Sequence, residues 1–315
     1  MVKSSAIEGE KLNPLAVRSA LARRLGLDID GPERASRAVE GTVEMLLDAT
    51  QGHAAALTAE RLFGWHAALF PTGRTGTNRI TVGAWRPVTA GVMQVVSGAL
   101  GRQRVHFRAP AAQRLDAEMS GFLTWFEATD DVDPVLRAGI AHFWFVTVHP
   151  FEDGNGRIAR AIGDMALARA DGSPQRFYSL SAQVESERKD YYNALERQQK
   201  GGLDITPWLT WFLGCFARAL AAAEGAALTV IDTSRLWEWI NRDPVNDRQR
   251  LVINRLLDAF EGHLTNAKYA RLAKCSPDTA LRDVQTLLNR GVLVRNLGGG
   301  RSTSYRLARL DELSA

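Results

Sequence analysis

Pro150 and the glycines at 154 and 156 interrupt an otherwise helical stretch, and this break constrains the fold more than any other part of the 315-residue chain. Before it, Val135, Leu136, Ile140, Phe143, Trp144 and Val148 recur at helical spacing behind an Asp133-Pro134 start signal. The spacing predicts a helix ending near Val148, after which His149 enters a turn and Pro150 prevents continuation. Gly154-Asn155-Gly156 then lead into a second helical run ending near Ala170. The turn therefore lies at a helix N-terminus, where free N–H groups and the positive end of the dipole favour an anion.

The side chains around that turn extend the argument to chemistry. Gly154 and Gly156 let a phosphate approach the backbone unobstructed. Arg157 and Arg160 leave one face of the first helical turns and suit neighbouring phosphates. Asp153 is a hard oxygen ligand fit for Mg2+ bridging those phosphates. His149, with an ordinary pKa near neutrality, suits a general base. The plainer alternative is a glycine-rich connection with a packed histidine and solvated arginines. His142, seven residues before His149, lacks a third ligand and is expected to pack rather than bind metal.

The twelve residues from His149 to Arg160 match, without departure, the Fic signature His-Pro-Phe-x-(Asp/Glu)-Gly-Asn-Gly-Arg-x-x-Arg. On them the chain resembles the Fic family. The resemblance implies a protein adenylyltransferase that moves AMP from ATP to a Ser, Thr or Tyr hydroxyl. It implies that His149 deprotonates the target, Phe151 anchors the loop and Asp153 binds Mg2+. Asn155, with the amides of Gly154 and Gly156, would hold the α-phosphate, while Arg157 and Arg160 would meet the β- and γ-phosphates. Downstream, the stretch from Arg176 to Ser181 and Tyr191, Tyr192 and Asn193 resemble the lining of the base pocket. There a tyrosine stacks on adenine and Asn193 bonds to it. Relatives transfer UMP or phosphocholine with the same loop, so another donor is an alternative, as is a DNA-binding regulator with a nucleotide-sensing Fic domain.

The family also carries an inhibitory helix, (Ser/Thr)-x-x-x-Glu-(Gly/Asn), whose glutamate takes the second signature arginine. Two segments fit: Ser4 to Gly9, with Glu8, and Ser36 to Gly41, with Glu40. The first is preferred because Ser5, Ile7, Lys11-Leu12 and the Arg23-Arg24-Leu25-Gly26 run resemble neighbours of this element in bacterial members. Glu8 is then expected to pair with Arg160 and, as in some members, to orient water for removal of AMP. Members with an N-terminal brake usually have residues before it, so a truncated N-terminus is expected.

The expected architecture is mainly α: a Fic helical-bundle core with a short β-hairpin flap, then a small α+β winged helix-turn-helix domain. Residues 1–30 form the inhibitory helix region, 31–225 the catalytic core, 226–247 a linker and 248–315 the C-terminal domain. The flap is assigned to Met93–Pro110, where Val95-Val96 and Val105-His106-Phe107 flank Gly98 and Gly101. In the C-terminal domain a helix near Asn266 to Ala273 and one after Ser276-Pro277 precede two strands, Val292–Arg295 and Ser304–Leu307, joined by Gly298-Gly299-Gly300-Arg301. Arg282, Arg290, Arg295 and Arg301 could meet DNA phosphates. Asp278 and Asp283 on the presumed reading helix oppose that and favour docking of protein.

Composition adds bounds. The 45% hydrophobic content supports a sizeable core, and no uninterrupted apolar run approaches the roughly 20 residues of a bilayer span. No membrane partner and a cytoplasmic location are expected. Cys215 and Cys275, in separate units, are expected to be inert thiols. A net charge of +4 decides nothing about partners. A protein target, the chain itself included, is implied; a homodimer, and DNA through the C-terminal unit, stay open.

Overall fold

In chain order the protein forms α1 (Val2–Ile7), α2 (Pro14–Arg24), α3 (Arg37–Gln51), α4 (Ala59–Leu69), β1 (Arg74–Thr75), β2 (Asn78–Arg79), β3 (Gln94–Ser97) and β4 (Arg104–Arg108). There follow α5 (Leu115–Glu127), α6 (Pro134–Val148), α7 (Asn155–Asp171), α8 (Leu180–Ser186), α9 (Arg188–Gln199) and α10 (Thr206–Ile240). Last come α11 (Asp247–Leu257), α12 (Asn266–Ala273), α13 (Pro277–Asn289), β5 (Leu293–Arg295) and β6 (Tyr305–Leu307). This computed structural model describes residues 1–27, 35–98, 102–129, 131–258, 260–296 and 303–313. Two units separate, Met1–Ala223 and Glu224–Ala315.

The centre of the first unit is the pair α6 and α7. Asp133 caps α6 by accepting from the N–H groups of Val135 and Leu136, with Pro134 in the first turn. Gly172, at φ 60°, ends α7 in the left-handed conformation. Between those ends the pair buries Ala138, Ala141, Phe145 and Val148 from α6 and Ile158, Ala161, Ile162 and Met165 from α7. Burial of each larger side chain contributes about 1.5–3 kcal/mol. Around them, α3, α4, α5, α8 and α9 supply the rest of one core, and α1 enters it through Ile7.

A second cluster joins Leu12, Ala16, Val17 and Ala20 to Val39 and Val43. It fixes the alternative inhibitory pattern as ordinary structure. Ser36 is the N-cap of α3, accepting from Val39 N–H, and Glu40 makes an exposed pair with Arg23 at 3.1 Å. A Cβ on Gly41 would lie 1.7 Å from the Ala68 carbonyl oxygen, so that glycine serves packing against α4.

Residues 226–240, read from sequence as the start of a linker, continue α10. The helix gives Trp208, Phe212 and Cys215 to the first unit's core and Leu236 and Ile240 to that of the second. Its best 18-residue stretch has a mean hydropathy of 1.4, so by length and composition alone α10 could cross a bilayer. Alanines around Arg218 and Glu224 keep that average high, although the two charges interrupt the apolar run.

In the second unit, an Asn246–Gln249 capping box starts α11, Thr265 caps α12 and Ser276 caps α13. β5 and β6 pair antiparallel, with Val294 opposite Arg306. Asp283, expected on an exposed reading face, is instead buried. It accepts from Arg248 at 3.0 and 3.2 Å and from the Tyr269 hydroxyl at 3.3 Å. Arg290 donates to the Ile240 carbonyl and pairs with Asp243 at 3.1 Å. Gly298-Gly299-Gly300-Arg301 and Gly101 lie outside the described residues.

Candidate active site

His149 ends α6 at φ 52° and ψ 57°, a left-handed conformation unusual for a residue with a Cβ. Its Nδ1 lies 3.1 Å from the Val146 carbonyl oxygen, which can only accept. Nδ1 therefore carries the proton and Nε2 keeps its lone pair. Burial pushes the imidazole below its ordinary pKa, and nearby Arg86 adds to that, so the ring is neutral at pH 7.

Arg86, which sequence reasoning missed, holds this corner. Almost fully buried, it donates from Nε to the His149 carbonyl at 2.9 Å and from Nη2 to the Pro110 carbonyl at 2.5 Å. Its backbone N–H adds a bond of 2.8 Å to the Pro150 carbonyl. A lone arginine inside Trp85-Arg86-Pro87 carries no sequence signal of that role.

Beyond His149, Phe151 is fully buried and stacks on His66 with ring centres 4.1 Å apart. Asn155 accepts from the Phe151 N–H at 2.9 Å and donates to the Phe151 carbonyl at 2.8 Å. Its amide thus folds the loop in this structure. Gly154 adopts φ 80°, and a Cβ there would lie 2.8 Å from the Phe70 ring. Glycine is required on both counts.

Asp153 accepts from the Gly154 N–H at 2.6 Å and from the Thr75 hydroxyl at 2.5 Å. Glu152 accepts from the Thr81 N–H at 2.6 Å. The hairpin tied to the loop is therefore β1–β2. The predicted flap, β3–β4, does form, but it fastens to α9 through Glu196. β1 and β2 lack the apolar alternation that reveals a strand: Arg74, Thr75, Asn78 and Arg79 are their whole length.

Residues 1–10 close the site. Arg160, 2% exposed, donates from Nη1 to Glu8 Oε1 at 2.8 Å, from Nε to the Ser4 hydroxyl at 2.9 Å and from Nη2 to the Ser4 carbonyl at 2.9 Å. Gly9, at φ 84°, turns the chain away after α1. Arg157 donates to Glu10 Oε2 at 2.9 Å and lies over the Phe70 ring, 5.0 Å from its centre. A Cβ on Gly156 would fall 2.2 Å from Glu8 Oε1. The Glu8 carboxylate thus occupies the space above the α7 N-terminus that an anion would use. Beside it, Glu8, Glu10, Arg37, Arg74, Asp153 and Arg157 line an open cavity of about 550 Å3.

Of the three residues assigned to the base pocket, the structure brings Tyr192 to this site. Its single O–H is within reach of two acceptors, the Ile7 carbonyl at 3.2 Å and Glu8 Oε2 at 3.3 Å. Tyr191 is fully buried, its hydroxyl 2.9 Å from His142 Nε2, so it does not offer a ring to a nucleotide. Asn193 lines a separate opening with Arg197 and Trp211. Adjacent residues on a helix point about 100° apart, which separates the three. His142 packs, as expected, between Tyr191 and Trp208.

As to metal, no group of three or more His, Cys, Asp or Glu side chains stands together among the described residues. Asp153 alone fits a cation that takes its remaining ligands from phosphates and water, as Mg2+ does.

Residues 56–167 match the family model described as Fic/DOC family. Over those residues the chain is similar to Fic domains. Residues 1–27 match a second model, described as a domain of unknown function, DUF4172. The protein adenylyltransferase Fic of Nematostella vectensis is 33% identical over 117 residues, which are 36% of this chain and 25% of that protein. The chain thus aligns with about a quarter of that curated relative. A Fic family protein from Desulfovibrio desulfuricans G20 superposes with a TM-score of 0.50 at 22% identity, covering 97% of this chain and 84% of that one. A Fic domain containing signaling protein from Bacteroides thetaiotaomicron gives 0.51 at 21%, covering 70% and 82%. Both show likeness of fold.

Proposed function

We propose that the Fic domain transfers AMP from ATP to a Ser, Thr or Tyr hydroxyl of a protein, and that α1 holds it in an inhibited state. The observation that carries this reading is the neutral His149 with a free Nε2 beside a glycine cradle whose two arginines are held by carboxylates. The curated relative named as a protein adenylyltransferase supports the donor and the reaction class.

In this mechanism His149 Nε2 accepts the proton of the target hydroxyl as its oxygen attacks the α-phosphorus, and pyrophosphate leaves. The amides at the start of α7 hold the α-phosphate, and Arg157 and Arg160 neutralise the other two. Asp153 would hold Mg2+, which supplies positive charge between the phosphates. Glu8 competes directly with phosphate for Arg160, and Glu10 does the same at Arg157.

The test offers α-labelled ATP, UTP, GTP and CTP to Glu8→Gly protein, with and without His149→Ala. Label from ATP that requires His149 is expected. Label from another donor alone would change the nucleotide, and none from any would overturn the transferase.

For the second unit we infer a winged helix-turn-helix used in docking protein. Its element order supports that, and Arg290, engaged with Ile240 and Asp243, is not offered to DNA phosphates. Gel-shift binding that survives physiological salt would favour DNA instead.

A further inference from the structure

On the ribbon β3–β4, away from the cradle residues, three side chains stand in series. The Ser97 hydroxyl is 2.5 Å from His106 Nε2, and His106 Nδ1 is 2.6 Å from Glu196 Oε2. A carboxylate can only accept, so Nδ1 carries the proton. Nε2 is then the acceptor, and the Ser97 O–H donates to it. Glu196, on α9, is fixed in turn: Arg104 and Lys200 donate to its other oxygen at 2.7 and 2.6 Å.

The backbone is shaped around the histidine. Val96 pairs with Val105 and Val95 with Phe107, so His106 is an extra residue on β4 with no partner across the ladder. A bulge of this kind gives up pairing to re-aim a side chain. Here it aims the imidazole between the serine and the carboxylate. A serine, a base within hydrogen-bond reach and a group orienting that base form the arrangement that activates a nucleophile.

We propose that Ser97, His106 and Glu196 are a second reactive centre, at which Ser97 accepts acyl groups from activated esters. Ser97 Oγ attacks the ester carbonyl carbon while His106 Nε2 takes the hydroxyl proton. The bond to the leaving oxygen breaks, and that oxygen departs with the proton, giving acyl-Ser97 and a free alcohol. Water, deprotonated by the same Nε2, then releases the carboxylic acid and restores Ser97. Ser97 is exposed and Glu196 acts only through the imidazole as a positioning residue. The centre therefore supplies a nucleophile and a base without an enclosing pocket, which confines it to esters of good leaving groups.

The test treats the full chain with p-nitrophenyl acetate, follows p-nitrophenol release and maps the acetylated peptide. A fluorophosphonate, which forms a stable adduct with such a serine, maps the unmutated protein and needs no variant. The adduct is expected on Ser97. Ser97→Ala should abolish it, and His106→Ala should slow acylation by about 100-fold or more. Glu196→Gln should slow acylation, and Glu196→Asp, which keeps a carboxylate acceptor for Nδ1–H, should recover part of the lost rate. Adducts confined to lysines or Cys275, or p-nitrophenol release unchanged by Ser97→Ala, would overturn the proposal.

Discussion

Glu8 fills the space above Gly156 where the proposed function puts a phosphate, and the residue-scale predictions turn on that. Glu8→Gly frees Arg160, and incorporation of label from α-labelled ATP should rise at least about tenfold, since removing one partner of a charged hydrogen bond shifts about 1.5–3 kcal/mol. Glu40→Gly, on the opposite role of an exposed helix residue, should leave incorporation unchanged. Glu10 is paired with Arg157 in the same way. Adding Glu10→Gln to Glu8→Gly should therefore lower the KM for ATP further, and equal KM values would show that Glu10 does not compete. His149 must be neutral to accept a proton, and burial favours the neutral form. The transfer rate should then hold as pH falls past the usual histidine range and decline only at lower pH. A rate that is already halved near pH 6.5 would contradict this.

At the scale of elements, α1 is only six residues long and could not persist as a helix alone. It is held by its own buried side chains, Ser4, Ser5 and Ile7, and by Arg160. Ile7→Ala removes buried contacts worth about 2–5 kcal/mol. It should release the segment, increase cleavage at Lys11 by trypsin and raise incorporation while leaving every signature residue in place. Cleavage without increased incorporation would separate the helix from the brake. The two hairpins show how sequence misdirects at this scale. β3–β4 is legible from its valines and glycines, yet it fastens to α9, whereas β1–β2 reaches Asp153 through Thr75 and has no legible pattern.

For the whole molecule, the buried histidines His66 and His142 contribute to the response to acid. Burial lowers His66 to about 4 and His142 to about 3. The unfolded chain binds protons at both near the ordinary value of about 6.5, the folded chain only below these lowered values. Stability is therefore complete above about pH 6.5 and falls as pH drops towards 4, by about 1.4 kcal/mol per pKa unit for each group. His66→Phe keeps the stack on Phe151 and removes one proton site, so melting temperature measured from pH 7 to pH 4 should fall less steeply than in the parent. An unchanged slope would sink that account. The Asp283 network belongs to the second unit. Asp283→Ala takes the acceptor away from Arg248 and from the buried Tyr269 hydroxyl and should lower that unit's stability. Thermal unfolding should then show an earlier transition.

Sequence alone determined the parts that depend on local order: the helix–turn–helix around His149, the caps at Asp133 and Ser276, and the twelve residues that match the Fic signature. These are set by Pro, Gly and short-range periodicity, which act within a few residues of themselves. Glu8 could be singled out only by resemblance, and its place over Gly156 came from packing 148 positions apart in the chain (156 − 8). Arg86 beneath His149, Glu10 on Arg157, Asn155 turned into its own loop, and Tyr191 in the core with Tyr192 at Glu8 were decided by the tertiary structure. Which side of a helix is buried, and which partner a charge meets, depends on elements far away in sequence, and no local pattern records that.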